Sequence, residues 1–179
     1  MFKRKKVFKI LITGSFGSGK TTLVRTLSQI EPVLTEKRIS SEEERTVAGK
    51  ETTTVAMDVG KLKISDDLEV HLFSTPGQER FSFMFDVLSK GIIGALILVD
   101  ATNRLSMEVA KSLADKVREL YGVPIVFGVT KLDLPDAKSL EEIRAHLEDD
   151  DAKVVPLDPR RPEDGKRALL ELLSLALEE

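Results

Sequence analysis

The stretch "VFKILITGSFGSGKTTLVRTLSQI", Val7 to Ile30, constrains this chain more than any other. A mostly apolar run leads into three closely spaced glycines and a lysine, and an amphipathic run follows. Gly14, Gly19, Lys20 and Thr21 meet the spacing G-x-x-x-x-G-K-[ST]. Glycines let the backbone curl so that successive amide N–H groups point inward at an anion, with the positive end of the next helix beneath it. The expected ligand is a nucleotide's phosphate chain, cradled by Gly14, Gly17, Ser18, Gly19, Lys20, Thr21 and Thr22. Lys20 would bring a full charge to the β- and γ-phosphates, and the Thr21 hydroxyl would be a ligand for Mg²⁺. A functionless glycine turn is the alternative, and it leaves the strand, loop and helix order unexplained.

The remainder of the chain repeats that order. Apolar runs predict strands near 7–13, 53–64, 68–74, 92–100, 123–129 and 153–157, and amphipathic runs predict helices near 19–30, 105–121, 138–148 and 163–178. Ser65-Asp66-Asp67 carries turn chemistry, so the second and third strands form a hairpin. Later strands are nearly continuous in apolar residues, as parallel strands buried on both faces are. The expected fold is α/β: a mostly parallel six-stranded sheet with one antiparallel edge strand and helices on both faces. Residues 1–179 are expected to form a single domain. The polar stretch 31–52 is read as one long loop, of the kind that is usually functional or disordered.

Charge and composition remove several classes. A net charge of −3 offers no basic field for nucleic acid. The absence of cysteine removes disulfides and thiolate metal sites. The longest apolar run, "GIIGALILV", is too short to cross a bilayer, and the basic start "MFKRKKVFK" precedes no signal-like segment. The expectation is a cytoplasmic protein with no integral membrane segment. The basic start reads as a solvated lead-in to the first strand, with acidic lipid or a partner as the alternative.

Two further motifs choose among nucleotides and chemistries. In "TKLD", Thr130 to Asp133, a carboxylate after a parallel strand can accept from both N1–H and the 2-amino group of guanine. Adenine offers no such donor pair. The stem of Lys131 can lie over the base while its head stays near the loop. In "STPGQER", 74–80, Gly77 can donate its backbone N–H to a γ-phosphate and Gln78 can orient an attacking water.

"GSFGSGKT", "TTTVAMD", "TPGQE" and "TKLD" together resemble a small Ras-like GTPase over nearly the whole chain. The wording is closest to GTPases of actinobacterial conservon operons and their archaeal relatives, which are associated with roadblock-domain proteins, and more distantly to the gliding-motility polarity GTPase. The resemblance implies GTP and GDP as ligands, a roadblock-type regulator and an effector. It makes Thr54, or its neighbours Thr52 and Thr53, the switch threonine that binds Mg²⁺. It also aligns Asp158, Pro159 and Arg160 with the loop that covers the base. The catalytic set it implies is Gln78, Lys20 and Gly77.

The chain departs from that pattern at four places. Ser74 stands where relatives carry the aspartate that partners Mg²⁺ through water, which should weaken metal retention. Phe16 occupies a loop position that tolerates mostly small residues, and Thr130 replaces the commoner Asn. Pro159 has no N–H to offer the base. The leading expectation is a GTP-hydrolysing switch, ahead of a non-hydrolysing nucleotide-dependent binding module and, last, a nucleotide or small-molecule kinase. Arg38 and Arg45 are candidates for a catalytic arginine in cis, with solvated charge as the simpler reading.

Overall fold

The computed structural model describes residues 4–30, 33–39, 53–74 and 91–178. Its strands are β1 (Lys6–Gly14), β2 (Val33–Ile39), β3 (Thr53–Ser65), β4 (Leu68–Ser74), β5 (Ile92–Asp100), β6 (Ile125–Thr130) and β7 (Lys153–Pro156). Its helices are α1 (Lys20–Leu27), α2 (Arg104–Tyr121), α3 (Leu140–Leu147) and α4 (Pro162–Glu178). The strands form one sheet in the order β2-β3-β4-β1-β5-β6-β7. From β4 to β7 every neighbouring pair is parallel. β3 runs antiparallel to β4, joined through the Asp66-Asp67 turn.

All six expected strands are present, and the sheet has the expected class. It also has a seventh strand: β2 lies within the stretch read as loop and pairs antiparallel with β3 from Val33↔Val59 to Ile39↔Thr53. The antiparallel β3 is therefore not the edge. The sequence of β2, "VLTEKRI", mixes charged and apolar residues without the clean alternation of a half-buried strand, so periodicity gave no signal.

The sheet is covered on both faces because its central strands alternate between two apolar clusters. Leu11, Ala95, Ile97, Val99, Phe127 and Val129 pack with α2 and α3. Ile10, Ile12, Leu96, Leu98 and Val126 pack with α1 and α4. Local chemistry sets the helix ends. Asn103 caps α2, and Ser139 with Glu142 forms a capping box on α3. α1 stops at Leu27, shorter than the expected 19–30, because Ser28 turns extended and ties to β3. The Ser28 hydroxyl accepts from the Lys61 amide at 3.0 Å, and the Gln29 amide donates to the Lys61 carbonyl at 2.8 Å.

Both histidines have structural partners: His71 pairs with Glu69 at 2.7 Å and His146 with Glu108 at 2.6 Å. From the basic start, Lys5 pairs with the same Glu69, whose carboxyl Lys5 and His71 hold down at about 2. Arg118 grips both oxygens of Asp149 at 2.7 Å, fastening α2 to the turn after α3. Among the described residues, no helix is long and apolar enough to cross a membrane.

α4 reaches β5 closely only because Gly94 has no side chain. A methyl group there would lie 2.8 Å from Cγ and Cδ1 of Leu172. Gly94→Ala should destabilise the fold by about 1–3 kcal/mol through overpacking. In a Leu172→Ala background the same change should cost clearly less, because the crowding atoms are gone. Denaturant unfolding of the two single variants and the double variant measures the coupling. Equal cost in both backgrounds would mean that the helix does not seat on the sheet here.

Candidate functional site

β1 is the switch point of the sheet. The chain leaves β1 toward the β4 side through α1, and leaves β5 toward the β6 side through α2, so a crevice opens at the carboxyl ends of these two neighbouring strands. The interior is polar at that end. Among the described residues, the buried polar side chains are Thr13, Ser15, Ser18, Lys20, Ser74, Asp100, Ser106 and Thr130. All lie where β1, β4, β5 and β6 end, or in the segments that follow. Burying so many polar groups together is costly unless they bind one another or a ligand.

The glycine loop bends around this crevice. Gly14, Gly17 and Gly19 all take positive φ, and Gly14 and Gly19 have no room for a side chain. A Cβ on Gly14 would lie 2.6 Å from the Leu98 carbonyl oxygen, and one on Gly19 would lie 2.7 Å from Cγ of Pro159. Lys20 folds back over the loop it ends, donating to the carbonyls of Gly14 and Ser15 at 2.9 Å each. Burial lowers its ammonium to about 8. Ser15 hydrogen-bonds Ser106 at 2.7 Å, and the Ser106 hydroxyl accepts from the Asp100 amide at 2.9 Å, so α2 braces the loop. Ser18 Oγ is buried without a partner.

Beneath the loop, α1 follows Gly19 with no side-chain capping bond and no acidic residue in its first turn. Its first amides are open to an anion. Thr21, the first exposed residue of this helix, donates its hydroxyl to Asp58 Oδ2 on β3 at 2.9 Å. Thr22 beside it is also exposed. Hydroxyl and carboxylate oxygens are the donors that Mg²⁺ accepts, usually with water and phosphate oxygens completing its shell. Among the described residues, no group of three or more His, Cys, Asp or Glu side chains converges as a metal site.

The segment after β6 is tied directly to the loop. The Thr130 hydroxyl donates to the Ser18 carbonyl at 2.9 Å. Lys131 sits at φ 63° and reaches Asp100 at 2.7 Å. Burial pushes the Asp100 carboxyl up, and hydrogen bonds from Lys131 and Thr102 more than offset it, leaving it below its ordinary value. Asp133 follows with its carboxylate 62% exposed. Asp158, Pro159 and Arg160 close the other side. Asp158 holds the Arg160 guanidinium at 2.9 Å through both Nε and Nη2, and its carboxyl is lowered to about 2 chiefly by that bond. Arg160 also reaches Asp133, loosely, at 3.5 Å.

The structure thus brings together the glycine loop, Thr130, Lys131, Asp133, Asp158 and Pro159. Gly77 and Gln78 lie outside the described residues, as do Thr52 and Arg45. Thr54 and Arg38 face each other in the β2–β3 register, and that is all the structure describes of them. Phe16 stands 92% exposed at the loop tip. Sequence reasoning missed Asp58, Asp100 and Ser106. Asp100 could have been suspected as an acid ending an apolar parallel strand beside a lysine motif. The contact of Asp58 with Thr21 spans 37 residues, and no local pattern announces it.

Residues 12–179 match the model of a family described as conserved hypothetical ATP binding proteins. An uncharacterized protein of Methanocaldococcus jannaschii is 31% identical over 77% of this chain and 79% of its own length. Mouse Ras-related protein Rab-7b is 31% identical over 80% of this chain and 69% of its own. ADP-ribosylation factor-like protein 6 of Caenorhabditis elegans is 26% identical over 80% of this chain and 70% of its own. With its glycine loop at the switch point of a parallel sheet, the chain belongs to the family of conserved hypothetical ATP binding proteins and, within the P-loop nucleotide-binding proteins, is a distant homologue of the Ras superfamily.

Proposed function

We propose that this protein is a GTP-hydrolysing molecular switch that cycles between GTP and GDP states with Mg²⁺. The observation that carries the reading is the bond from Thr130 to the Ser18 carbonyl. It fixes the segment bearing Asp133 to the phosphate loop, so one ligand with phosphates at one end and a base at the other spans both. Asp133 accepts from N1–H and the 2-amino group of guanine, and Lys131, anchored by Asp100, lays its stem along the base. Lys20 exchanges two carbonyl partners for phosphate oxygens. The Thr21 hydroxyl offers its lone pairs to Mg²⁺, which neutralises phosphate charge when bound. Gln78 orients water and Gly77 donates to the γ-phosphate. The roadblock-type proteins associated with the branch this sequence resembles are the partner to test first. A non-hydrolysing binding module remains the second reading, favoured by the exposed Phe16, which would crowd an arginine arriving from a partner.

The family description names ATP, and the base site argues for guanine. GDP should bind far more tightly than ADP, and Asp133→Asn should shift preference toward xanthosine diphosphate, whose extra carbonyl then meets an amide donor. Titration calorimetry with the three diphosphates decides this. Equal affinity of the wild type for ADP and GDP would remove the guanine assignment.

The lowered Lys20 gives a pH signature. Phosphate favours the charged ammonium and raises its pKa in the complex. GDP affinity should therefore be full below about 8 and fall as pH rises through that value, by up to about tenfold per unit. Lys20→Arg stays charged and should flatten the profile, which separates lysine titration from that of the nucleotide. A wild-type profile no steeper than that of Lys20→Arg would mean that Lys20 does not face phosphate.

Single-turnover hydrolysis of GTP by the isolated chain should be slow, on the order of 10⁻⁴ s⁻¹. A partner that accelerates it should do so through Gln78, and Gln78→Ala should abolish the stimulation while leaving GTP affinity nearly intact. Fast unaided hydrolysis, or stimulation that survives Gln78→Ala, would overturn this account of turnover.

A further inference from the structure

Ser74 removes the acid from the end of β4, yet the site is not without one. Asp58 lies directly opposite Ser74 in the antiparallel register of β3 and β4. Its carboxylate accepts the Thr21 hydroxyl proton at 2.9 Å. We propose that Asp58 supplies the negative charge of the divalent-cation site, a role moved across one strand pair from position 74 to position 58. The inference rests on the reading of the glycine loop as a nucleotide–Mg²⁺ site.

Three observations support the transfer. The first is orientation. A hydroxyl has one proton and two lone pairs. With the proton committed to Asp58, both lone pairs of Thr21 are free to face a cation. The second is exclusion: carboxylates directly opposite one another on paired strands repel. An acid at 58 therefore makes an acid at 74 unfavourable, and a buried serine is what fits opposite it. The third is access. Asp58 is only partly covered and Ser74 is buried, so of the two positions 58 is the more accessible.

Hence the loss of an acid at position 74 does not by itself predict weak metal retention. Asp58 is a positioning and charge-supplying residue whose effect is read through the cation, not through the phosphates alone.

The experiment measures release of fluorescent GDP from the intact chain across a Mg²⁺ titration, with EDTA as the metal-free reference. Asp58→Asn keeps the shape and an oxygen that can still accept from Thr21, and removes only the charge. It should raise the Mg²⁺ concentration that half-maximally slows release by roughly 10–100-fold, the usual effect of losing a group that supports a metal ligand. Any change in its release rate in EDTA should be much smaller than the change across the Mg²⁺ titration. In Asp58→Ser, the second change Ser74→Asp should restore much of the Mg²⁺ response. Ser74→Asp alone, with two acids face to face, should destabilise the fold. If wild-type GDP release responds to Mg²⁺ and Asp58→Asn responds at the same concentration, the assignment of Asp58 is wrong and the glycine-loop reading stands. Failure of Ser74→Asp to restore the response in a folded Asp58→Ser protein also overturns the transfer. If the wild type holds GDP with no response to Mg²⁺, or does not hold GDP, the site reading falls and this inference with it.

Discussion

A strand buried on both faces must discharge its chain at one end of the sheet, and β1 does so between β4 and β5, all three running parallel. The chain then has to turn within a few residues and start a helix on one face, while the chain from β5 turns to the other. That geometry leaves a gap that, among the described residues, polar groups line. Backbone amides, the open start of α1 and the Lys20 ammonium occupy its rim. The rest of the site is a response to that gap: Ser106 braces the loop through Ser15, Thr130 ties it to β6, and Pro159 packs over Gly19.

The polar groups at this rim are satisfied in a particular way. Lys20 has only backbone carbonyls for partners among the bonds described, and its burial disfavours the charged form. Asp100 shows the opposite balance, since Lys131 and Thr102 outweigh its burial. The glycine loop thus differs from the segments after β6 and β7, where Lys131 with Asp100 and Arg160 with Asp158 are already paired.

The two apolar clusters have a different task. They share no residue, because successive residues of β1, β5 and β6 point to opposite faces. Gly94 and Gly165 let α4 come close to β5 and α1, which places the 158–160 segment at the entrance of α4 against the glycine loop. Core packing thereby carries the segment after β7 to the glycine loop. A loop could not hold that register by itself, since its backbone has few partners.

What the amino-acid order determined by itself was everything with a local signature. Strand and helix periodicity located six of the seven described strands and all four described helices. The spacing of Gly14, Gly19, Lys20 and Thr21 located the phosphate loop, and "TKLD" located a carboxylate beyond a strand end. Periodicity failed at β2, whose pairing with β3 comes from backbone hydrogen bonds that its mixed side chains do not announce. The tertiary structure alone decided which distant groups meet: Thr21 with Asp58, Ser15 with Ser106, Thr130 with Ser18, and Lys131 with Asp100. These contacts join residues 31 to 112 positions apart, across strands whose order in the sheet is not their order in the chain. A motif reports the chemistry available at one point, and only the strand order and register decide which chemistry stands beside it.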